Sequence, residues 1–113
     1  MTGALLATLA SGGSIVCTAG YRNDAFVRWQ EEFDPTWTTA VPSMYQSILH
    51  ELALRPPGRR ASRLRFVRSA SAPLPPSVMR ELEAALGVPV IEAYGMTEAA
   101  HQVASNPLPP GVR

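Results

Sequence analysis

The sequence predicts an α/β fold, a partial parallel sheet with flanking helices. Segments in which apolar residues recur at helical spacing alternate with short segments rich in β-branched residues. The connections between them are short, which favours a parallel sheet with right-handed crossovers. Ligands bind such sheets beyond the carboxyl ends of the strands. The loops that follow the last two predicted strands are therefore the candidate site.

The first two predicted elements are a helix and a strand. Residues 2–10 are apolar enough for a short helix, and Gly12 and Gly13 end it, because glycine suits the position after a helix. Residues 14–18 are short, β-branched and bounded by turn residues, which predicts a buried strand. Cys17 is therefore expected in the core, without a basic neighbour to make it reactive.

The next helix and strand span residues 23–41. Asn23 and Asp24 can cap free amide groups, so they predict a helix start, and the helix should end at Asp34 and Pro35. Residues 36–41, "TWTTAV", favour a pleated strand. The helix should bury three aromatic residues at helical spacing: Phe26, Trp29 and Phe33.

The second half repeats this alternation twice. Pro42 suits the first turn of a helix, residues 63–69 and 88–94 predict the third and fourth strands, and Gly87 ends the helix between them. Residues 55–62 and the tail 105–113, rich in proline, predict loops. The buried helix faces should comprise Tyr45, Ile48, Leu49 and Leu52 in one helix and Val78, Leu82 and Ala85 in the other.

The composition excludes several classes of protein. A net charge of +1 gives no electrostatic reason to expect binding to nucleic acid or to a membrane surface. A single cysteine allows no internal disulfide, which fits the cytoplasm as the expected location. All 10 basic residues are arginine, so the chain supplies no lysine ammonium. Six of these arginines form a basic run: Arg55, Arg59, Arg60, Arg63, Arg65 and Arg68. We interpret this run as a solvated face, and contact with nucleic acid is the weaker alternative.

Two spaced motifs carry the functional signal. The last predicted strand runs into Tyr94-Gly95-Met96-Thr97-Glu98, and Ala72-Pro73-Leu74 follows the strand before it. These stretches resemble the Tyr-Gly-x-Thr-Glu motif and the end of the Gly-Gly-Ala-Pro-Leu loop of adenylate-forming enzymes. That superfamily includes acyl-CoA synthetases, luciferases and the adenylation domains of peptide synthetases. Within it, the two motifs together with "SNPLPPG" most resemble oxalate–CoA ligases.

The resemblance implies a two-step reaction that uses ATP, Mg²⁺ and coenzyme A. A carboxylate attacks the α-phosphate of ATP, which gives an acyl-adenylate and pyrophosphate. Coenzyme A then displaces AMP and forms a thioester. Both steps move a highly charged group, so catalysis would rest on positioning and charge neutralisation.

Each motif residue has a role implied by the resemblance. The ring of Tyr94 would lie against adenine, and Gly95 would let the backbone approach the nucleotide closely. Thr97 would offer its hydroxyl to the α-phosphate, and Glu98 would bind Mg²⁺, a hard cation that prefers carboxylate oxygen. Thr97 and Glu98 are therefore the catalytic candidates. The earlier loop adds three nucleotide-binding candidates: Ser71, Ala72 and Pro73.

Two further residues bear on the acid substrate. His101 lies three residues beyond Glu98, so a helical turn there would direct it to the same side as the site. Ser71 stands where the general family pattern has glycine, and its hydroxyl could narrow the pocket. An imidazole and a hydroxyl suit a small acid such as oxalate better than a fatty acyl chain. Alternatively, His101 is a surface histidine and Ser71 is an ordinary loop serine. In that case the function would be that of a short- or medium-chain fatty acyl-CoA ligase.

Without the family, the segment 94–98 could be a strand end, a glycine turn and a helix start capped by Thr97. The coincidence of two spaced motifs favours the functional interpretation. Compared with the family, the chain lacks a lysine-containing phosphate loop, the aspartate that holds ribose, and the lysine of the small C-terminal domain.

Residues 1–113 are accordingly expected to form a partial AMP-binding domain, truncated at both ends and inactive by itself. Its partner would be the remainder of the synthetase. The alternative is a non-catalytic α/β interaction module, or half of a split synthetase, whose open sheet edge pairs with another chain.

Overall fold

A computed structural model describes residues 2–55, 62–99 and 101–111 of the chain. It confirms the α/β class, because helices flank a four-stranded sheet whose first three strands are parallel. A single 3₁₀ turn, Thr97–Ala99, follows the third strand. The other elements are α1 (Thr2–Ala10), α2 (Asn23–Phe33), β1 (Trp37–Ala40), α3 (Pro42–Ala53), β2 (Phe66–Ala70), α4 (Pro76–Leu86), β3 (Val90–Tyr94) and β4 (Ala104–Ser105).

The sheet has the strand order β1-β2-β3-β4, so strands that follow one another in the chain are neighbours. Thr39, Arg68 and Ile91 are partners across the three parallel strands. β4 runs antiparallel to β3, in a tail for which the sequence predicts only loop. The N–H of Asn106 donates to the carbonyl of Glu92 at 2.9 Å, and this returns the chain along β3.

The hydrophobic core lies on one face of the sheet. The predicted face of α3 is confirmed, with Leu49 half-buried and the other three residues buried; on α4, however, Ala85 is exposed. Among the described residues, no helix has the length and apolarity needed to cross a membrane. The buried core cluster comprises Val27, Tyr45, Ile48, Leu52, Leu64, Val67, Leu74, Val78, Leu82 and Val90.

The strand predicted for residues 14–18 is wrong, and Cys17 is exposed rather than in the core. The β-branched composition of this segment reports only how well its residues suit a pleated surface; a strand also needs a neighbour to accept its hydrogen bonds. In the described part of the chain, the sheet ends at β1, which pairs with β2. Residues 14–18 therefore connect α1 to α2 without regular structure.

Arginine–aspartate pairs hold the two ends of α2. The N-cap residue is Arg22, which makes no side-chain capping bond; its guanidinium pairs instead with Asp24 at 2.8 Å. At the other end, Asp34 adopts a left-handed φ of 41°. Its carboxylate accepts the backbone N–H of Arg63 at 2.8 Å and the Nε–H at 2.9 Å. This second pair joins the end of α2 to the segment that leads into β2.

The aromatic face predicted for α2 is only partly correct. Ala25 and Val27 are its buried residues, Phe26 and Trp29 are half-buried, and Phe33 is exposed. α2 packs on α3, and small side chains at the contact let two helices approach more closely than bulky ones do. The aromatic rings therefore border the contact.

The basic run does not form one solvated face. Arg63 and Arg65 are exposed and Arg55 is half-buried, but Arg68 in β2 is only 8% exposed. Successive side chains of a strand point to opposite faces of the sheet, so this arginine leaves the solvated run although it is close in sequence. The remaining two, Arg59 and Arg60, lie outside the described residues.

Tyr45→Phe is expected to lower the free energy of unfolding of the chain by about 1 kcal/mol. Tyr45 is fully buried, and its hydroxyl donates a hydrogen bond of 2.8 Å to the backbone carbonyl of Arg68. Burial also raises the pKa of Tyr45, so the phenol keeps its proton and remains a donor. Urea denaturation followed by tryptophan fluorescence measures the difference.

Tyr21→Phe is the matched control, because its hydroxyl donates at 3.0 Å to the carbonyl of Met44 at an exposed position. Water can replace that bond, so the loss should be much smaller than for Tyr45→Phe. Equal losses in the two variants would contradict the role of Tyr45 as a buried brace of β2.

Candidate functional site

Two loops leave the sheet side by side at the carboxyl ends of β2 and β3. The first loop is residues 71–75, and the second loop is residues 95–99 and 101–103. Ala70 and Ala93, near the last positions of the two strands, are partners in the parallel pairing. The pairing therefore starts both predicted motifs at the same edge, as expected for a ligand site in an α/β sheet.

The first loop begins with a residue in a left-handed conformation. Ser71 has a φ of 78°, which glycine adopts freely and serine adopts at a cost. This conformation gives a backbone reason for the glycine at this place in the family pattern. Ser71, Ala72 and Pro73 are all exposed, so the loop presents both its backbone and the Ser71 hydroxyl to solvent.

A carboxylate in β3 holds the first loop to the second strand end. Oε1 of Glu92 accepts the backbone N–H of Leu74 at 2.9 Å, and Leu74 itself is buried. Glu92 is a member of the site that was not predicted from the sequence. Its signal is an acidic residue inside an otherwise apolar strand, since a carboxylate there needs a hydrogen-bond donor.

The second loop folds back on its own strand. The N–H of His101 donates to the carbonyl of Met96 at 3.0 Å, and the N–H of Val103 donates to the carbonyl of Tyr94 at 2.9 Å. A Cβ on Gly95 would clash with the carbonyl oxygen of His101. Gly95 is therefore required by a close approach within the loop itself, and its predicted closeness to a nucleotide stays a prediction.

Three side chains of the second motif are open to solvent. Tyr94 is 59% exposed, which leaves its ring accessible to a planar base. Thr97 and Glu98 are exposed at the start of the 3₁₀ turn. Within the described ranges, Glu98 takes part in no ion pair, so its carboxylate is available to a cation.

Glu98 fits Mg²⁺ as one ligand among several. No group of three histidine, cysteine, aspartate or glutamate side chains that could hold a metal occurs among residues 2–55, 62–99 and 101–111. Mg²⁺ in nucleotide sites takes one or two carboxylates, and phosphate oxygens and waters complete its shell. A single exposed carboxylate beside a hydroxyl is compatible with that arrangement.

His101 reaches its position by a different route from the predicted helical turn. The 3₁₀ turn ends at Ala99, and His101 has a left-handed φ of 94°. A helical direction for its side chain is therefore wrong, because the chain here turns back towards β4. The imidazole lies against α1: a Cβ on Gly3 would be 2.6 Å from Nδ1. That Nδ1 is buried and has no hydrogen-bond partner in the described part of the chain.

Arg68 is a further polar side chain at this end of the sheet. Its Nη1 donates to Oγ1 of Thr39 at 3.2 Å, and its Nη2 donates to Oε1 of Gln102, in the second loop, at 3.0 Å. Burial lowers the pKa of Arg68, but a guanidinium keeps its proton at any physiological pH. The prediction that Arg68 belongs to the solvated run is wrong; its place inside the strand, directly after the apolar Val67, was a usable signal.

The family follows from comparison with known proteins. A family model for the AMP-binding enzyme matches residues 1–113. The chain belongs to the AMP-binding enzyme family, which confirms the resemblance of its two motifs.

Several individual relatives are CoA ligases by name. The chain is 45% identical over 111 residues to a probable CoA ligase of Humulus lupulus and 44% identical over 107 residues to an oxalate–CoA ligase of Arabidopsis thaliana. It is 41% identical over 108 residues to a sulfoacetate–CoA ligase of Cupriavidus necator. These matches cover 96%, 93% and 96% of this chain but 21%, 21% and 20% of the relatives. The chain thus spans about one fifth of the length of the curated relatives it matches.

The fold also matches solved structures of this class. A benzoate–CoA ligase of Burkholderia xenovorans superposes with a TM-score of 0.79 at 27% sequence identity. The match covers 93% of this chain and 21% of that one. The sheet and its flanking helices therefore correspond to part of a CoA ligase fold.

Gly95→Ala is expected to lower the free energy of unfolding by about 2–3 kcal/mol, because the new methyl group must displace the backbone at His101. Gly87→Ala is the control. Gly87 has a φ of 70° but open space around its Cβ position. An alanine there would have backbone strain without a clash, so Gly87→Ala should lower the free energy of unfolding by about 1 kcal/mol. Chemical denaturation of both variants compares them; a smaller loss at Gly95 than at Gly87 would refute the close approach.

Proposed function

We propose that this chain is the adenylate-binding part of an ATP-dependent acid–CoA ligase that activates a small acid, with oxalate as the best fit. The observation that carries the proposal is the parallel pairing of β2 and β3, which starts the two motif loops at one sheet edge. The motif side chains Tyr94, Thr97 and Glu98 are exposed at that edge. The family membership of the chain supports the same reaction class.

The exposed residues suit the first half of this reaction. The ring of Tyr94 offers a flat apolar surface for adenine, and backbone groups of Ala72 and Pro73 border the same edge. The hydroxyl of Thr97 can donate a hydrogen bond to the α-phosphate, where charge builds up as the acid attacks. Glu98 would hold Mg²⁺, which neutralises phosphate charge when it is bound.

Two observations favour a small polar acid over a fatty acyl chain. His101 places a half-buried imidazole in the second loop, and an imidazole can form a hydrogen bond with an acid oxygen. Ser71 keeps a hydroxyl at a backbone position that favours glycine. The names of two relatives, the oxalate–CoA and sulfoacetate–CoA ligases, point in the same direction. Each of those acids carries a second acidic group besides the carboxylate that is activated.

On this proposal, we expect the 113-residue chain to be inactive when it is isolated. It contains no lysine, whereas the resemblance implies that lysines in other parts of a synthetase neutralise the phosphates of ATP. The remainder of a synthetase is the partner that would supply them.

A chimera tests the proposed function. In it, this chain replaces the matched segment of the Arabidopsis oxalate–CoA ligase, and thioester formation from ATP, coenzyme A and a series of acids is measured. We expect the chimera to form oxalyl-CoA and the isolated chain to form no thioester. If the chimera prefers butyrate or hexanoate, the substrate is a short- or medium-chain fatty acid and not oxalate. A correctly folded chimera without activity on any acid would refute the ligase proposal.

His101→Ala and Ser71→Ala in the chimera are each expected to lower the ratio of kcat/KM for oxalate to kcat/KM for butyrate by about tenfold or more. Each change removes a polar group that oxalate can use and butyrate cannot. Alanine at position 71 keeps a side chain at the left-handed φ, so it removes the hydroxyl alone. His50→Ala is the control, because His50 is exposed on α3. An unchanged ratio in both test variants would show that neither side chain meets the acid.

A further inference from the structure

Arg68 is a buried cation on the face of the sheet that the core does not use. Its neighbour Val67 belongs to the core cluster, and side chains alternate along a strand. On the opposite face, Arg68 is level with Thr39 of β1 and Ile91 of β3. Only 8% of Arg68 is exposed, so its charge is largely removed from water.

No anion compensates this charge within the described residues. The ion pairs found there join Asp24 to Arg22 and Arg28, and Asp34 to Arg63. Glu92, on the adjacent strand, is level with Ser69 rather than with Arg68, and its Oε1 accepts the N–H of Leu74. The partners of Arg68 are the neutral oxygens of Thr39 and Gln102. A buried guanidinium held only by neutral groups is poorly compensated.

The location of this cation connects it to the candidate site. Gln102, which accepts the Nη2–H bond of Arg68 at 3.0 Å, follows His101 directly in the second loop. The Cα of Gln102 lies 3.1 Å from the Cβ position of Gly95. The guanidinium therefore lies beneath the loop that carries the second motif. It has more N–H donors than its two hydrogen bonds use.

We propose that Arg68 binds the second acidic group, a carboxylate or sulfonate, of the acid that is activated. The inference rests on the proposed function and deepens it by naming the substrate class: short acids with two anionic groups. Gln102 and Thr39 hold the guanidinium, and a planar fork of N–H donors matches an acid group by two parallel hydrogen bonds. Ile91 and Ala93, buried on the same face, give the surroundings an apolar character that strengthens this pairing.

The test uses Arg68→Met and Arg68→Lys in the chimera. Methionine keeps an unbranched apolar side chain and removes the charge, whereas lysine keeps the charge without the fork. Arg68→Met is expected to raise KM for oxalate about 100-fold or more and to change KM for acetate less than threefold. Arg68→Lys should recover part of the oxalate activity. Arg65→Met is the control, because Arg65 is an exposed arginine that precedes the same strand. It should alter KM for neither oxalate nor acetate.

The outcomes separate the two proposals. Equal losses for oxalate and acetate in Arg68→Met would overturn the proposal and assign Arg68 to a structural role. If the chimera activates no acid, the ligase proposal fails, and oxalate binding alone decides the role of Arg68. A rise in Tm with oxalate that Arg68→Met abolishes would retain the anion site, and no rise in the unsubstituted chimera would refute it.

Discussion

The parallel pairing of β2 with β3 is the constraint on which every candidate site residue depends. It starts two distant segments of the chain at one edge and in one register. The bond from the N–H of Leu74 to Glu92 then joins the first loop to the strand that carries the second motif. Because α4 connects the two strands and buries Val78 and Leu82 in the core, the geometry of the site is determined by the same packing that stabilises the fold.

Unusual backbone conformations shape the loops at this edge. Ser71 and His101 both have left-handed φ angles, and Gly95 lies in contact with the backbone at His101. None of these features is needed to connect two strands, and the two left-handed residues cost conformational energy that the packed scaffold offsets. Strain of this kind is typical of ligand-binding loops, where the direction of a side chain matters more than local stability.

The sequence predicts those elements whose pattern is local. The faces of α3 and α4, the glycine stop of α4 and the three parallel strands follow from periodicity and turn chemistry, and the motifs indicate the site edge. The strand assigned to residues 14–18 fails because strand pairing depends on distant neighbours. The buried state of Arg68 and the partner of Glu92 are missed for the same reason, since the face on which a strand residue lies is set by the whole sheet. The path of His101 depends on a close backbone contact that residue spacing alone does not contain.

The left-handed conformation of Ser71 also has an evolutionary consequence. At such a φ, replacement of serine by glycine relieves backbone strain of about 1 kcal/mol. Drift towards glycine at this position is therefore favoured by stability alone. On the proposed role of the Ser71 hydroxyl, a lineage that changes its acid preference would also become more stable by this single substitution.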